Sequence, residues 1–229
     1  MNRLFDPDDP PEPGADPNIP VRDAATLILH RGWGERAEVL MGKRASAHVF
    51  MPDKYVFPGG RVDGEDIAAA AASEFAPEQA EKLAIASALP PRAYGLAAIR
   101  ETFEETGLFV AREAAAEGTF PAFAARGLAP SLAPLRFIAR AVTPPARSRR
   151  FDARFFMADA EAALCAECAP ADSAELTDLR WLALPDALAL DLPSVTRFIL
   201  GEVRARLLGE ALAPVHVYWT PEGHRTDRL

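Results

Sequence analysis

Arg100-Glu101-Thr102-Phe103-Glu104-Glu105-Thr106-Gly107-Leu108 sets three carboxylates along one helical face. Glu101 shares that face with Glu104 at i+3 and Glu105 at i+4, while Phe103 lies on another side. Like charges at those spacings destabilise an isolated helix by ~0.2–0.5 kcal/mol per pair. They also stand near the helix C-terminus, where the dipole disfavours anions, and Gly107 is placed to cap that end. A solvated acidic face is the ordinary explanation of such a cluster. The other is a hard divalent cation, which prefers carboxylate oxygen ligands and reverses the repulsion.

The segment upstream is Phe57-Pro58-Gly59-Gly60-Arg61-Val62-Asp63-Gly64-Glu65-Asp66. Paired glycines after a strand let backbone approach a ligand or metal closely. Around these two motifs strands and helices interleave. Ala24–His30 and Glu38–Arg44 read as strands joined through Gly32-Trp33-Gly34, and Tyr55–Phe57 as a short third strand. Ala-dominated 66–75 and amphipathic 77–88 read as helices, followed by a break at Pro90-Pro91 and a helix over 92–106. A short helix is expected near 119–126, and strands at Leu135–Val142, Asp152–Met157 and Leu176–Leu184. Helices follow at 185–190 and 193–210, with Asp191 or Ser194 as N-cap. This alternation predicts an α/β fold with a mixed sheet.

Together the two motifs resemble the Nudix box, G-x5-E-x7-R-E-U-x-E-E-x-G-U with U aliphatic. Gly60 matches the first glycine, and Arg100-Glu101, Glu104-Glu105, Gly107 and Leu108 match the second half. The departures are Asp66 in place of glutamate, Thr102 in place of an aliphatic residue, and length. Between Asp66 and Arg100 lie 33 residues (100 − 66 − 1) where the pattern has 7, an excess of 26. Loop-closure entropy grows slowly with length, so a helical insertion is tolerable there. Glu65 or Glu74 could stand in for Asp66. The interrupted box, Met51–Asp63 and Arg150-Phe151-Asp152-Ala153-Arg154-Phe155-Phe156 are similar to the peroxisomal coenzyme A diphosphatase-like branch. The arginine-rich stretch before FPGG in coenzyme A-cleaving relatives is only partly present, as Lys43-Arg44-Ala45-Ser46.

The resemblance implies a Nudix-type α/β/α sandwich over 21–229 with a helical insertion at about 67–92. It implies an Mg²⁺-dependent pyrophosphohydrolase, with Mn²⁺ as a substitute, acting on a nucleoside diphosphate linked to another moiety such as coenzyme A, NADH or ADP-ribose. Glu101 and Glu105 would lead the metal ligands, Glu104 would assist, and the Gly60 carbonyl would add a donor. Arg100 would orient a glutamate. The general base is left open between Glu101, Glu167 and Glu175. Because guanidinium matches phosphate in bidentate fashion, Arg44, Arg149, Arg150 and Arg154 are candidates for the outer phosphates. Phe151 is a candidate for stacking on a base, whereas Phe155 and Phe156 read as core.

Composition narrows the alternatives. At 229 residues and 49% hydrophobic content the chain can bury a substantial core. Its net charge of −8 argues against general affinity for nucleic-acid backbone, though a bound cation still admits a small anionic substrate. No apolar run approaches the ~20 residues that span a bilayer, and the start of the chain has neither a signal core nor an Arg-rich amphipathic helix, so a cytoplasmic location is expected. Residues 1–20 carry six prolines and five acidic residues and read as a mobile arm; a homodimer is compatible with the sequence. Cys165 and Cys168 form a CxxC without the second ligand pair that structural zinc needs, and His30, His48, His216 and His224 are scattered. Two other functions compete: clean-up of nucleoside triphosphates, and a Nudix-fold sensor that binds nucleotide without cutting it. The intact acidic set speaks against the sensor.

Overall fold

A computed structural model describes residues 18–45, 53–145, 147–165, 169–220 and 222–229. The expected arm falls mostly on 1–17, and Ser46, His48, Glu167 and Cys168 also lie outside the described residues. In chain order the first half contains β1 (Val21–Arg31), β2 (Glu38–Arg44), β3 (Tyr55–Val56), β4 (Gly59–Arg61), α1 (Gly64–Ala68), α2 (Pro77–Ala84) and α3 (Pro91–Thr106). Next come β5 (Ala111–Glu113), α4 (Pro121–Ala124), β6 (Leu128–Pro130), β7 (Arg136–Val142), β8 (Arg150–Asp159) and α5 (Ala160–Ala163). The last elements are β9 (Leu176–Ala183), α6 (Leu184–Ala189), α7 (Ser194–Leu207), β10 (Val215–Thr220) and β11 (Gly223–Arg228).

Among the described residues nine strands form one mixed sheet, ordered β11-β10-β7-β8-β1-β2-β3, with β4 pairing β1 and β9 pairing β2. The axis is the parallel pair β1 and β8, in register from Val21↔Arg150 to His30↔Asp159. Side chains of successive strand residues point to opposite faces, and the core divides accordingly. Leu27, Leu29 and Phe156 pack with Tyr94, Leu96 and Ile99 of α3 on one side. Ile28, Phe155 and Met157 pack with Leu184 of α6 and Ile199, Leu200 and Val203 of α7 on the other. Two helical layers therefore enclose the sheet, the expected α/β architecture. No described helix is long and apolar enough to cross a membrane.

The Ala-rich run 66–75 departs from expectation: its helix ends at Ala68. Ala has high helix propensity, but here the backbone finds tertiary partners instead. Ala70 N donates to Gly118 O, Ala72 N to Pro130 O at 2.7 Å, and Leu132 N to Ser73 O. Phe75 enters the core, stacked on Phe156 at 5.6 Å. Ser194 begins α7 after Pro193, and no side chain caps that helix, so neither proposed N-cap serves. The hairpin β10–β11 was not expected; polar residues in Gly223–Arg228 weaken its alternation, and pairing with β10 carries it.

The stretch between α1 and α3 is tied down at several points. Arg140 donates to Ile85 O and Ala86 O at 2.9 and 3.1 Å, while its other face clasps Asp152 at 2.8 and 2.6 Å. The Tyr94 hydroxyl bonds Ser87 Oγ at 2.9 Å and Asp23 Oδ1 at 2.6 Å.

Candidate active site

Helix α3 begins with Pro91 at its first turn, where the missing N–H is no loss. It ends at Gly107, whose φ of 74° is the left-handed conformation glycine adopts without strain. Thr102, in a place where an aliphatic residue is usual, is fully buried. Its hydroxyl donates to Ala98 O at 2.7 Å one turn back. With that bond made, the buried hydroxyl costs little.

Arg100 is buried beside the acidic face and organises it. Nε and Nη2 grip Asp66 Oδ1 and Oδ2 at 2.8 and 2.9 Å, and Nη2 also donates to Arg61 O at 3.0 Å. Nη1 donates to Glu101 Oε1 at 2.9 Å and Glu104 Oε2 at 3.2 Å. Burial opposes its charge, but Asp66 and Glu101 outweigh burial and hold the guanidinium protonated beyond its ordinary range. Asp66 has no exposed surface and also closes a capping box, accepting from Asp63 N at 2.8 Å. Of the alternatives, Glu65 stays exposed at 3.7 Å from Arg100 and Glu74 pairs with Arg92. Asp66 is thus Arg100's buried partner.

Gly60 is fixed by close approach. A Cβ there would stand 2.5 Å from Glu101 Oε2 and closer still to its carboxyl carbon. Glu105 accepts from Gly59 N at 2.9 Å through Oε2. Burial pushes the Glu105 carboxyl up to about 8, with the Gly59 N–H opposing and the Glu101 charge adding. Burial likewise lifts Glu101 to about 7 against the pull of Arg100, and lifts the more exposed Glu104 in the same direction. Among the described residues no three His, Cys, Asp or Glu side chains converge as a ready metal cage. The donor set nevertheless suits a hard cation. Glu101 Oε2, Glu104 Oε1 and Glu105 Oε1 receive no hydrogen bond among the described residues, and under-compensated carboxylates are what such a cation relieves.

These groups line a cavity of about 480 Å³. Arg44, Arg147 and Arg149 line it as well, and Phe57, Phe151 and Phe155 supply an apolar wall. Glu175 also lines it, and its charge raises both Glu101 and Glu105. Burial lowers the Arg44 pKa, while the charges of Glu105 and Glu175 raise it. The sequence did not single out Arg61 or Arg147; Arg61 directly follows the paired glycines, the one signal that could have found it.

Arg154 does not reach this cavity. It projects from the opposite face of β8 to Ala153 and Phe155 and is almost wholly buried. There it pairs with Asp152 at 2.8 Å and Asp23 at 3.3 Å and lies over the Tyr94 ring at 4.1 Å. A guanidinium so engaged holds the sheet to α3 instead of gripping a phosphate, a correction to the sequence reading. Arg150 faces a neighbouring cavity, donating to Thr143 O and Ile19 O at 3.4 Å.

No protein-family model matches the chain. Among solved structures, it is similar to a Nudix hydrolase from Alicyclobacillus acidocaldarius at 30% identity, covering 80% of this chain and 91% of that one with a TM-score of 0.63. A MutT Nudix hydrolase from Burkholderia pseudomallei aligns at 19% identity over 80% and 98%, TM-score 0.48. A MutT protein from Methanosarcina mazei Go1 aligns at 15% over 84% and 99%, TM-score 0.49. Only the first is similar enough to carry an assignment. With that likeness, and with the acidic helix and the paired glycines in contact, the chain belongs to the Nudix hydrolases, enzymes that act on phosphoric anhydride bonds.

Proposed function

We propose that this protein is a divalent-cation-dependent pyrophosphohydrolase that cuts a nucleoside diphosphate linked to a second moiety, of the coenzyme A, NADH or ADP-ribose kind. One observation carries the reading: a single cavity joins the carboxylates of α3 to arginines and an aromatic wall. A linked nucleotide presents those complementary parts, a clustered negative charge flanked by a planar base. Residues 21–229 would form one hydrolase domain of the coenzyme A diphosphatase-like branch, with its helical insertion at about 67–92, working in the cytoplasm.

Glu101, Glu104 and Glu105, with the Gly60 carbonyl, would hold Mg²⁺ or Mn²⁺. Such an ion, when bound, neutralises phosphate charge and lowers the pKa of a coordinated water. The chain's own groups do the rest. Arg100 fixes the orientation of Glu101 and Glu104 through Nη1. Arg44 and Arg149 grip the flanking phosphate oxygens in bidentate fashion, and Phe151 offers a face for the base. Glu101 or Glu175 accepts a proton from the attacking water; both line the cavity. Anhydride hydrolysis needs alignment and charge neutralisation more than covalent chemistry, and this arrangement supplies alignment.

The test is turnover of coenzyme A, NADH, ADP-ribose and deoxynucleoside triphosphates with and without Mg²⁺, with Glu105→Gln as control. Cation-dependent cleavage of a linked substrate that is lost in Glu105→Gln supports the proposal. Preferential cleavage of triphosphates, or full activity in Glu105→Gln, overturns it.

A further inference from the structure

Helix α7 opens onto the catalytic cavity: Pro193, Ser194, Val195 and Thr196 all line it. The leading N–H groups of a helix have no partner within it. In α7 the first to bond back is Arg197 N, to Pro193 O at 2.9 Å, and no side chain caps the N–H groups ahead of it. Thr196 adds an independent observation. It is only 6% exposed, yet its hydroxyl makes no hydrogen bond among the described residues. The threonines of α3 behave differently: Thr102 and Thr106 donate to carbonyls four residues back, at 2.7 and 2.5 Å. The carbonyl four residues before Thr196 is that of Leu192, ahead of the helix, and no such bond forms. A buried hydroxyl without a partner is costly, and the side left open to this one is the cavity. The Ser194 hydroxyl is likewise unengaged among the described residues.

The sheet supplies the room. Ala153 stands opposite Ala24 in the β1–β8 ladder and opposite Ala141 in the β7–β8 ladder, and all three alanines line the cavity. Three small residues in one row across neighbouring strands leave a trough, with Phe155 and Val195 as further apolar surface. Such a trough disfavours a charged group. Arg197, the nearest cation along α7, is committed to the carbonyls of Leu188 and Leu190. What remains is a cluster of neutral donors above an apolar floor, and its complement is a carbonyl oxygen on an uncharged group. Adenine has no carbonyl. We infer that the first turn of α7, with Thr196 and Ser194, holds a carbonyl oxygen on the uncharged second moiety of the substrate, so that anhydrides bearing an amide there are preferred to those ending in a bare sugar. The inference rests on the pyrophosphohydrolase reading for the remainder of that substrate. The carbonyl has two sources, an amide along a flexible chain and a carboxamide on a ring.

Binding without a divalent cation separates this inference from the reading it rests on. The full chain is titrated by calorimetry with 4′-phosphopantetheine, reduced nicotinamide mononucleotide and ribose 5-phosphate. One of the two amide-bearing ligands is expected to bind on the order of tenfold tighter than ribose 5-phosphate, the scale of one well-made buried hydrogen bond; which of them does so tells chain from ring. Thr196→Val keeps the side chain's shape and removes the hydroxyl, and the preference is expected to fall to within about twofold, while Thr196→Ser retains most of it. A hydroxyl with only a structural role would move the melting temperature and leave that ratio alone. Here the melting temperature of Thr196→Val is expected to hold or rise, because the lost hydroxyl had no partner in the free protein. Ser194→Ala replaces Thr196→Val if that variant does not fold. Equal binding of all three ligands by the unaltered chain, binding of none, or a preference that survives the folded variant overturns the subsite. Absence of any Mg²⁺-dependent cleavage of coenzyme A, NADH or ADP-ribose would instead overturn the pyrophosphohydrolase reading, whatever the binding ratio.

Discussion

Arg100 and Asp66 stand 34 positions apart in the sequence, yet two parallel hydrogen bonds of 2.8 and 2.9 Å join them inside the protein. Removing one member of a buried pair leaves the other charge uncompensated, at a cost of ~3–5 kcal/mol. Asp66→Ala is expected near the lower end of that range, because Glu101, Glu104 and Arg61 O still engage Arg100. Urea unfolding measures it. A loss under about 1 kcal/mol, the scale of one ordinary hydrogen bond, would mean that the clasp does not secure α3.

Gly60→Ala should separate activity from stability. The added methyl group would collide with the Glu101 carboxylate, and the side chain can rotate away without disturbing the core. A displacement of about 1 Å at a reacting centre costs roughly a hundredfold in rate. The expected outcome is a kcat lower by about that factor, with a melting temperature within a few degrees of the unaltered protein. Unchanged kcat would release Glu101 from the role proposed for it.

How much of this was legible in the sequence depended on how local each cause was. The acidic face of α3 and its Gly107 cap follow from spacing and backbone conformation, so they could be read directly. Asp66 could not be chosen over Glu65 or Glu74 by spacing, because the 33 intervening residues break the register. Only the buried geometry shows that Arg100 faces it. The Ala-rich run at 69–75 misleads, since intrinsic propensity yields to hydrogen bonds that Ala70 N and Ala72 N donate to the carbonyls of Gly118 and Pro130, partners far along the chain. Arg154 reads like any strand arginine until the β8 alternation turns it from the cavity toward Asp23 and Asp152.

Cation binding should depend on pH with a definite sign. Glu105 titrates near 8 and Glu101 near 7 in the folded protein, both above ordinary carboxylates. A raised carboxyl pKa means that the folded state holds its proton more tightly. The corresponding stability is present below about 4.5 and is lost as pH rises toward 8. A divalent cation competes with those protons. Mg²⁺ should therefore raise the melting temperature little near about pH 5 and by clearly more near about pH 8.5. Glu105→Gln should remove most of the difference. A shift that is equal at both pH values would separate the cation from these carboxylates.

Asp152 shows the opposite sign. Burial pushes its carboxyl up, but the Arg140 hydrogen bonds and the Arg154 charge outweigh burial and hold it below its ordinary value. Its contribution to stability is thus present above about 3.8 and lost as pH falls through the folded value. Asp152→Asn is expected to lose ~3 kcal/mol near neutral pH, with the gap from the unaltered protein narrowing as both are acidified. The same change loosens Arg140, whose remaining bonds reach Ile85 O and Ala86 O. Backbone amides of α2 should then exchange with solvent faster than those of α7, which packs on the far side of the sheet. Equal acceleration in both helices would mean that Asp152 supports the sheet as a whole and leaves the 77–89 stretch to other contacts.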